Sequence, residues 1–476
     1  VEQLFPIDIN GDGLADLAYL DQEGLWSYRL NTGTGFDAPR SLVKPIDLEA
    51  AKLARFTDLT GDGFPEFLYP EETNKNNAEW LVHTNDLGGG FGAAENPGVL
   101  FGNSAEGDAS IIQDFNGDGA ADNLFIDFQN GKVKVQATSL YPGVNLLAGN
   151  SHQARNVVDE IVDGLGKRVQ FRYGAMTQPD VYTRLEGASA ADWGRGSAVF
   201  EFVAPVYVVS GVSSSAPHYG NSAAMADTEY HYVGARIQAG GRGFLGFAEI
   251  VQWSEVNGTR TNTRYRQDFP YIGLVFDELT MLAAYGDRAS SLSELAPDVL
   301  ASWPAVGATT TAPGSSLPGT AIHYAARQWA ATETIGDSAW RRVQKASLET
   351  SWSPLGEQIT KKLLTSRHDA RSRPLQVEER LWGAASAAAD LTVTTESSFL
   401  EPGGNWNLGR VAAVTVRHQR PGRPEVQRKS SFAYDPVTGL KLEETTEPDS
   451  DVLRVVSTYR LDAFGNRTRT TVSAAG

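Results

Sequence analysis

One acidic, glycine-bearing segment is written three times early in the chain: DINGDGLAD from Asp8, DLTGDGFPE from Asp58 and DFNGDGAAD from Asp114. Numbered from the first Asp, positions 1, 3, 5 and 9 are Asp8, Asn10, Asp12 and Asp16 in the first copy. They are Asp58, Thr60, Asp62 and Glu66 in the second, and Asp114, Asn116, Asp118 and Asp122 in the third. Position 6 is Gly13, Gly63 and Gly119. Side-chain oxygens at alternate positions, with a Gly for the sharp turn, are the donor set that a hard cation such as calcium requires. The main-chain carbonyls at position 7, from Leu14, Phe64 and Ala120, would add another oxygen. Asp, Asn and Gly also build ordinary tight turns, and a single copy would carry no more than that. Three copies aligned at positions 1, 5, 6 and 9 point to calcium, with the second, through Thr60 and Glu66, departing furthest from the pattern.

An EF-hand loop would have a bidentate Glu at position 12 and a helix on each side. Position 12 here is Tyr19, Tyr69 and Phe125, and the flanking runs LAYL, FLYP and LFID have strand character. The loops therefore belong to β-hairpins. Their starts are 50 and 56 residues apart (58 − 8 and 114 − 58), and each copy is followed by strand-like runs in LWSYRLNTGTGF, EWLVHTNDLGGGF and VKVQATSLYPGV. A unit rich in Gly and aromatics recurring at that period is the pattern of a propeller blade. The copies resemble FG-GAP or VCBS-type repeats, the calcium-loop blades of integrin-like propellers, and Phe91-Gly92 in GGGFGAA fits that pattern. Three blades do not close a propeller, so the resemblance implies further blades before Val1.

Composition agrees with an all-β class. The 476 residues hold 48 Gly, 22 Pro, 10 Trp and 16 Tyr, which suits many turns and aromatic strands. The net charge of −17 leaves no basic stripe for nucleic acid. The absence of Cys removes disulfides, thiolate zinc sites and cysteine nucleophiles. No apolar run reaches the roughly 18 residues of a membrane-spanning helix. The opening VEQLFPID has neither an initiator Met nor the regions of a signal peptide, and is expected to be the middle of a strand in a longer protein.

Beyond residue 150 the acidic loops stop. RVQFRY, YHYVGARI and FAEIVQW alternate as strands, FVAPVYVVSGVSSS suggests a more buried one, and Asn257-Gly258 marks a hairpin. Gly241, Gly243 and Gly246 spell G-x-G-x-x-G, but a dinucleotide site needs a strand before and a helix after. Strand-like sequence follows, so these glycines are assigned to a turn. DGLGKRVQFRYGAMTQPDVYTR and YHYVGARIQAGGRGFLGFAEI resemble the middle region of the B component of Tc insecticidal toxin complexes. They also resemble the related SpvB-associated and RHS-repeat proteins. Residues 277–340 change composition: DELTMLAAYGDRASSLSEL suggests a short helix, and PAVGATTTAPGSSLPGTA a linker.

In the last third, SRHDARSRPLQVEERLW, FAYDPVTGLKLEETTE and TYRLDAFGNRTRTTV each combine an aromatic or His, an Asp, a turn and an alternating strand. Tyr434-Asp435 with Gly439, and Asp462 with Gly465-Asn466, are the clearest. They resemble the YD repeats of RHS and teneurin-type proteins, which in that family coil into a hollow β-shell. His368-Asp369 stands where the repeat has Tyr-Asp and is assigned a structural role, because adjacent strand residues face opposite sides. YDPVTGL matches the first half of the core motif at which RHS shells cleave themselves, but the second acidic element is missing. It is assigned to an ordinary hairpin.

No other chemistry emerges. The seven His are scattered, and Gly102-Asn103-Ser104 and Gly220-Asn221-Ser222 lack the second Gly of a nucleophile elbow. Gly166-Lys167 is followed by Arg168, not the Ser or Thr of a P-loop. The expectation is an all-β, non-enzymatic chain. Its parts are calcium-loop β-propeller blades over 1–150, a Tc-B-like β-rich region over 151–276, an irregular region over 277–340, and RHS/YD-repeat hairpin strands over 341–476. The resemblance implies a bacterial toxin-delivery protein, secreted or cell-associated and delivered to a target cell. Its propeller would dock on and gate a Tc A-like translocation channel, and its shell would enclose a C-terminal toxin domain. An adhesion module on a cell surface is the rival reading. A glycan-cleaving propeller is a weaker one, for want of carboxylate pairs outside the loops.

Overall fold

The computed structural model describes residues 1–476 except 43–45, 74, 76–77, 87, 103–108, 116, 118, 128–130, 137–156, 186–197, 283–320, 334–339, 385, 402–408 and 475–476. The described residues are 56% strand and 1% helix, as the sequence led us to expect. It divides into two interleaved compact units, Val1–Thr183 with Val203–His231, and Arg184–Phe202 with Tyr232–Gly476.

The first unit opens with antiparallel meanders that repeat one plan. Strands Gln3–Ile7, Asp16–Leu20, Trp26–Arg29 and Arg40–Ser41 form one sheet. Strands Arg55–Thr57, Glu66–Pro70, Trp80–Asn85 and Phe91–Glu95 form the next. A third sheet has Ala109–Gln113, Asp122–Asp127 and Lys132–Gln136 as its described strands. In each, the acidic loop joins the first strand to the second in the same register, with Ile7 opposite Asp16, Thr57 opposite Glu66, and Gln113 opposite Asp122. Each loop is thus an eight-residue insert between two strand ends fixed by sheet hydrogen bonds.

Aromatic side chains glue one meander to the next. Trp26 is fully buried, with ring centres 5.7 Å from Phe5, 5.7 Å from Phe56 and 5.6 Å from Phe67, so the first sheet packs on the second. Its indole N–H donates to the Ala51 carbonyl at 3.0 Å, on the short helix Leu48–Lys52 capped by Asp47. Trp80, at the same place in the second meander, packs with Leu59, Val82, Val99 and Phe101 and donates to Ser110 Oγ of the third at 2.9 Å. Truncating a buried Trp of this kind costs about 3–5 kcal/mol. The unit is completed by strands that include Arg168–Ala175 paired with Tyr207–Ser215, and Tyr207–Ser215 paired with Met225–Val233. Tyr207–Ser215, expected to be well buried, is mostly half-exposed.

The second unit holds a small sheet of Val199–Glu201, Arg236–Gln238 and Gly243–Phe244. The G-x-G-x-x-G glycines lie here in a hairpin, Ile237 opposite Phe244, with Gly241, Gly243 and Gly246 all at positive φ. No helix follows, and the assignment to a turn holds. Thirteen described strands then run from Glu249–Ser254 to Arg467–Ala474, each antiparallel to the one before. The segment expected to begin a short helix at Asp277 is instead strand Val275–Leu282, in which Asp277, Leu279 and Met281 are buried and their neighbours half-exposed. Period-two alternation decides this, since a helix would bring Leu279 and Leu282 to one face. Ala321–Glu333, also within the stretch read as irregular, is a long strand. The linker-like run from 304 lies outside the described residues up to 320.

The Asp residues of the YD segments make one recurrent turn. The main-chain N–H of Asp462 donates to the Asn466 carbonyl at 3.0 Å, and its Oδ1 accepts the N–H groups of Phe464 at 2.9 Å and Asn466 at 2.8 Å. Asp369 does the same with Arg371 and Arg373, and Asp163, in the first unit, with Leu165 and Lys167. Asp435 sits at the head of a turn one residue longer, closed by Asp435 N–H to the Leu440 carbonyl at 2.9 Å. Asp369, expected to be a strand neighbour of His368, lies just past strand Gln358–His368 as a turn residue and is also bridged to Arg373 at 2.6 Å.

Candidate metal sites

Each acidic loop is wound around its own first carboxylate. Asp8 accepts the N–H groups of Gly11 at 2.7 Å and Gly13 at 2.8 Å, one on each oxygen. Asp58 takes those of Gly61 and Gly63, both at 2.7 Å, and Asp114 those of Gly117 at 2.7 Å and Gly119 at 3.0 Å. Position 9 closes the loop from the other side. Asp16 accepts the Ile9 N–H at 2.8 Å, Glu66 the Leu59 N–H at 2.7 Å, and Asp122 the Phe115 N–H at 3.0 Å. These position-9 carboxylates are 0%, 1% and 2% exposed. The longer Glu66 therefore fills the same role as Asp at this place.

The remaining expected donors lie on the same loops. Asn10 donates to Asp12 at 3.0 Å, and Asp12 accepts the Leu14 N–H at 2.8 Å. Thr60 is buried beside Asp58, and Asp62 accepts the Phe64 N–H at 2.9 Å. Ala120 is half-buried in the third loop; Asn116 and Asp118 lie outside the described residues. Asp8, Asn10, Asp12, Leu14 and Asp16 thus lie on one short loop, and Asp58, Thr60, Asp62, Phe64 and Glu66 on another.

The second loop carries an electrostatic load. Burial pushes the Glu66 carboxyl up to about 7, and the charges of Asp62 and Asp58 push the same way. Asp58 is raised as well, by burial and by Asp62. The largest influences on these two carboxylates are burial, main-chain N–H groups and neighbouring carboxylates, with no Lys, Arg or His among them. A divalent cation would stabilise buried, mutually repelling oxygen donors of this kind, so the chemistry of the donor set fits calcium. Among the described residues no three His, Asp or Glu are grouped as a metal site; the loop pattern draws also on Asn, Thr and main-chain oxygens.

Two residues that the sequence reading passed over support the loops. The Asn31 amide donates to the Ala15 carbonyl at 3.0 Å, and Asn85 to the Pro65 carbonyl at 3.2 Å, position 8 in each case. Asn31 also donates its main-chain N–H to Asp16 at 2.7 Å. The available signal was an Asn beside a Thr, Asn31-Thr32 just past the third strand of the first sheet and Thr84-Asn85 at the end of that of the second.

Solved structures share this architecture. A chain in the crystal structure of TcdB2-TccC3-Cdc42 superposes with a TM-score of 0.60 over 98% of the present chain, at 11% identity. One from the crystal structure of TcdB2-TccC3 gives 0.58 over 92%, at 12% identity. The fold is that of these TcdB2-TccC3 chains. The present chain covers 27% and 25% of those two chains, about a quarter of their length. No family model and no curated protein matches the sequence.

Proposed function

We propose that the chain is a non-enzymatic structural part of a Tc-like toxin-delivery protein, combining calcium-stabilised propeller blades with the first strands of an RHS/YD shell. The observation that carries this reading is the likeness to TcdB2-TccC3 chains over 98% of the sequence. The repeated meanders, packed on one another through Trp26 and Trp80, have the strand plan of propeller blades. The consecutive hairpins of the second unit, with Asp369, Asp435 and Asp462 heading three of their turns, suit a wall that grows strand by strand. In this reading the propeller docks on and gates a Tc A-like translocation channel. The shell encloses a C-terminal toxin domain until release, and the protein is secreted or cell-associated.

Calcium, when bound, would neutralise the loop carboxylates. Asp8, Asn10, Asp12, Asp16 and the Leu14 carbonyl would hold it in the first loop, and Asp58, Thr60, Asp62, Glu66 and the Phe64 carbonyl in the second. Asp114, Asn116, Asp118, Asp122 and the Ala120 carbonyl make the third set. The chain's own part is to fix the first and ninth carboxylates by main-chain N–H groups, so that little ordering remains to be done on binding.

Electron microscopy of the product of the full gene tests the assembly. A closed, hollow body carrying a ring is the expected result. An open or filled particle would overturn the encapsulation reading and favour an adhesion module built from the same parts.

A further inference from the structure

The three loops touch one another in sequence. The Asn85 amide that holds the Pro65 carbonyl of the second loop also donates to the Ile9 carbonyl of the first, at 2.8 Å. Phe64, position 7 of the second loop, covers Gly11, position 4 of the first, so closely that a Cβ there would lie 2.6 Å from its ring. The same pair of positions meets again one step on. Gly61, position 4 of the second loop, lies against Ala120, position 7 of the third, where a Cβ would be 3.5 Å away. Beside that contact the Asp58 carbonyl accepts the Ala121 N–H at 2.7 Å. Asp58 supplies the first carboxylate of its loop, and Ala121 immediately precedes Asp122, the last of the third.

We propose that the first two loops take up calcium as a coupled pair, with Asn85 and Phe64 tying one to the other. This rests on the calcium reading above and adds to it. Settling one loop around an ion fixes peptides that its neighbour shares, so the neighbour has less conformational freedom left to lose. The coupling is reciprocal, as linkage requires, and filling one loop raises affinity at the next on the order of 10-fold. Asn85 ligates nothing in this scheme; it is a positioning residue.

Calorimetric titration with calcium, after chelation and dialysis, decides the matter for the parent chain, Asn85→Ala and Phe64→Ala. The parent isotherm is expected to be steeper than that of independent sites. Both variants should bind the same number of ions with a slope falling toward that of independent sites. Phe64→Ala keeps the main-chain oxygen of the loop and removes only the ring, so it answers the question even where Asn85→Ala fails to fold. Independent binding by the parent chain, or unchanged steepness in Phe64→Ala, overturns the coupling and leaves the calcium sites standing. Absence of any binding heat together with an unchanged melt overturns both.

Discussion

Glu66 accepts the main-chain N–H of Leu59 at 2.7 Å while Asp58 and Asp62 share its loop. Burial disfavours its charge and the neighbouring carboxylates oppose it, so its carboxyl is pushed up to about 7 in the folded chain. In the unfolded chain the proton leaves near 4.5. The unfolded state thus binds fewer protons between these values. Calcium-free stability therefore falls as pH rises through that window and stays reduced above it, by a few kcal/mol.

Glu66→Gln follows from this. In chelator at pH 8 the variant should melt above the parent chain, since the amide keeps an acceptor for Leu59 and carries no charge. At pH 4 the two should melt alike. With calcium the order reverses, because a neutral amide is the poorer ligand. Equal melting at both pH values in chelator would dispose of the electrostatic argument.

Calcium should raise the melting temperature of the region before residue 150, and chelation should lower it. At a free concentration 100 times the dissociation constant the gain is about 2.7 kcal/mol per site. Asp12→Ala should remove one bound ion from the stoichiometry. Asp12 is exposed and its side chain bonds Asn10 and the Leu14 N–H within its own loop, so the substitution leaves the core intact. A melt indifferent to chelator would reduce the loops to turns.

Ser372 occupies the fourth place of the Asp369 turn at φ 64, where the corresponding residues of the Asp163 and Asp462 turns are Gly166 at 82 and Gly465 at 85. A Cβ in this left-handed region costs roughly 1–2 kcal/mol. Ser372→Gly should therefore raise the unfolding free energy by about 1 kcal/mol, seen as a higher denaturant midpoint, and Gly465→Ala should lower it by a similar amount. An unchanged midpoint for both would mean that these turns open before the transition.

The acidic loops were legible because every expected donor lies within nine residues of the first Asp, so local spacing alone brings them together. The YD turns were legible for the same reason: Asp462 bonds groups two and four residues ahead. What the sequence hid depends on partners far along the chain. Asn85 reaches the Ile9 carbonyl across 76 residues, and neither residue type announces the other. Asp277 looked like the start of a helix because its local sequence, DELTMLAA, favours one. Pairing with Thr259–Tyr265 and Ala321–Glu333 decided otherwise, as tertiary context commonly overrides propensity.

That pairing also sets up the last prediction. Register places Glu249 opposite Arg264, and Arg264 opposite Asp277, so that one guanidinium lies between two carboxylates across three strands. Asp277 is fully buried, gripped by Arg264 Nε at 2.7 Å and by the Tyr324 hydroxyl at 3.1 Å. Burial and the adjacent Asp277 push the Tyr324 phenol up, which keeps it a donor. Glu249 retains the Asn262 amide as a second partner. Removing the cation alone strands Asp277 in a site where water cannot replace it. Arg264→Met should therefore cost about 3–5 kcal/mol in urea unfolding. Combining it with Asp277→Leu removes the stranded charge, and the double variant should recover much of that loss. Losses that simply add in the double variant would show that Arg264 stabilises the sheet by packing alone, and that the ion pair contributes nothing to it.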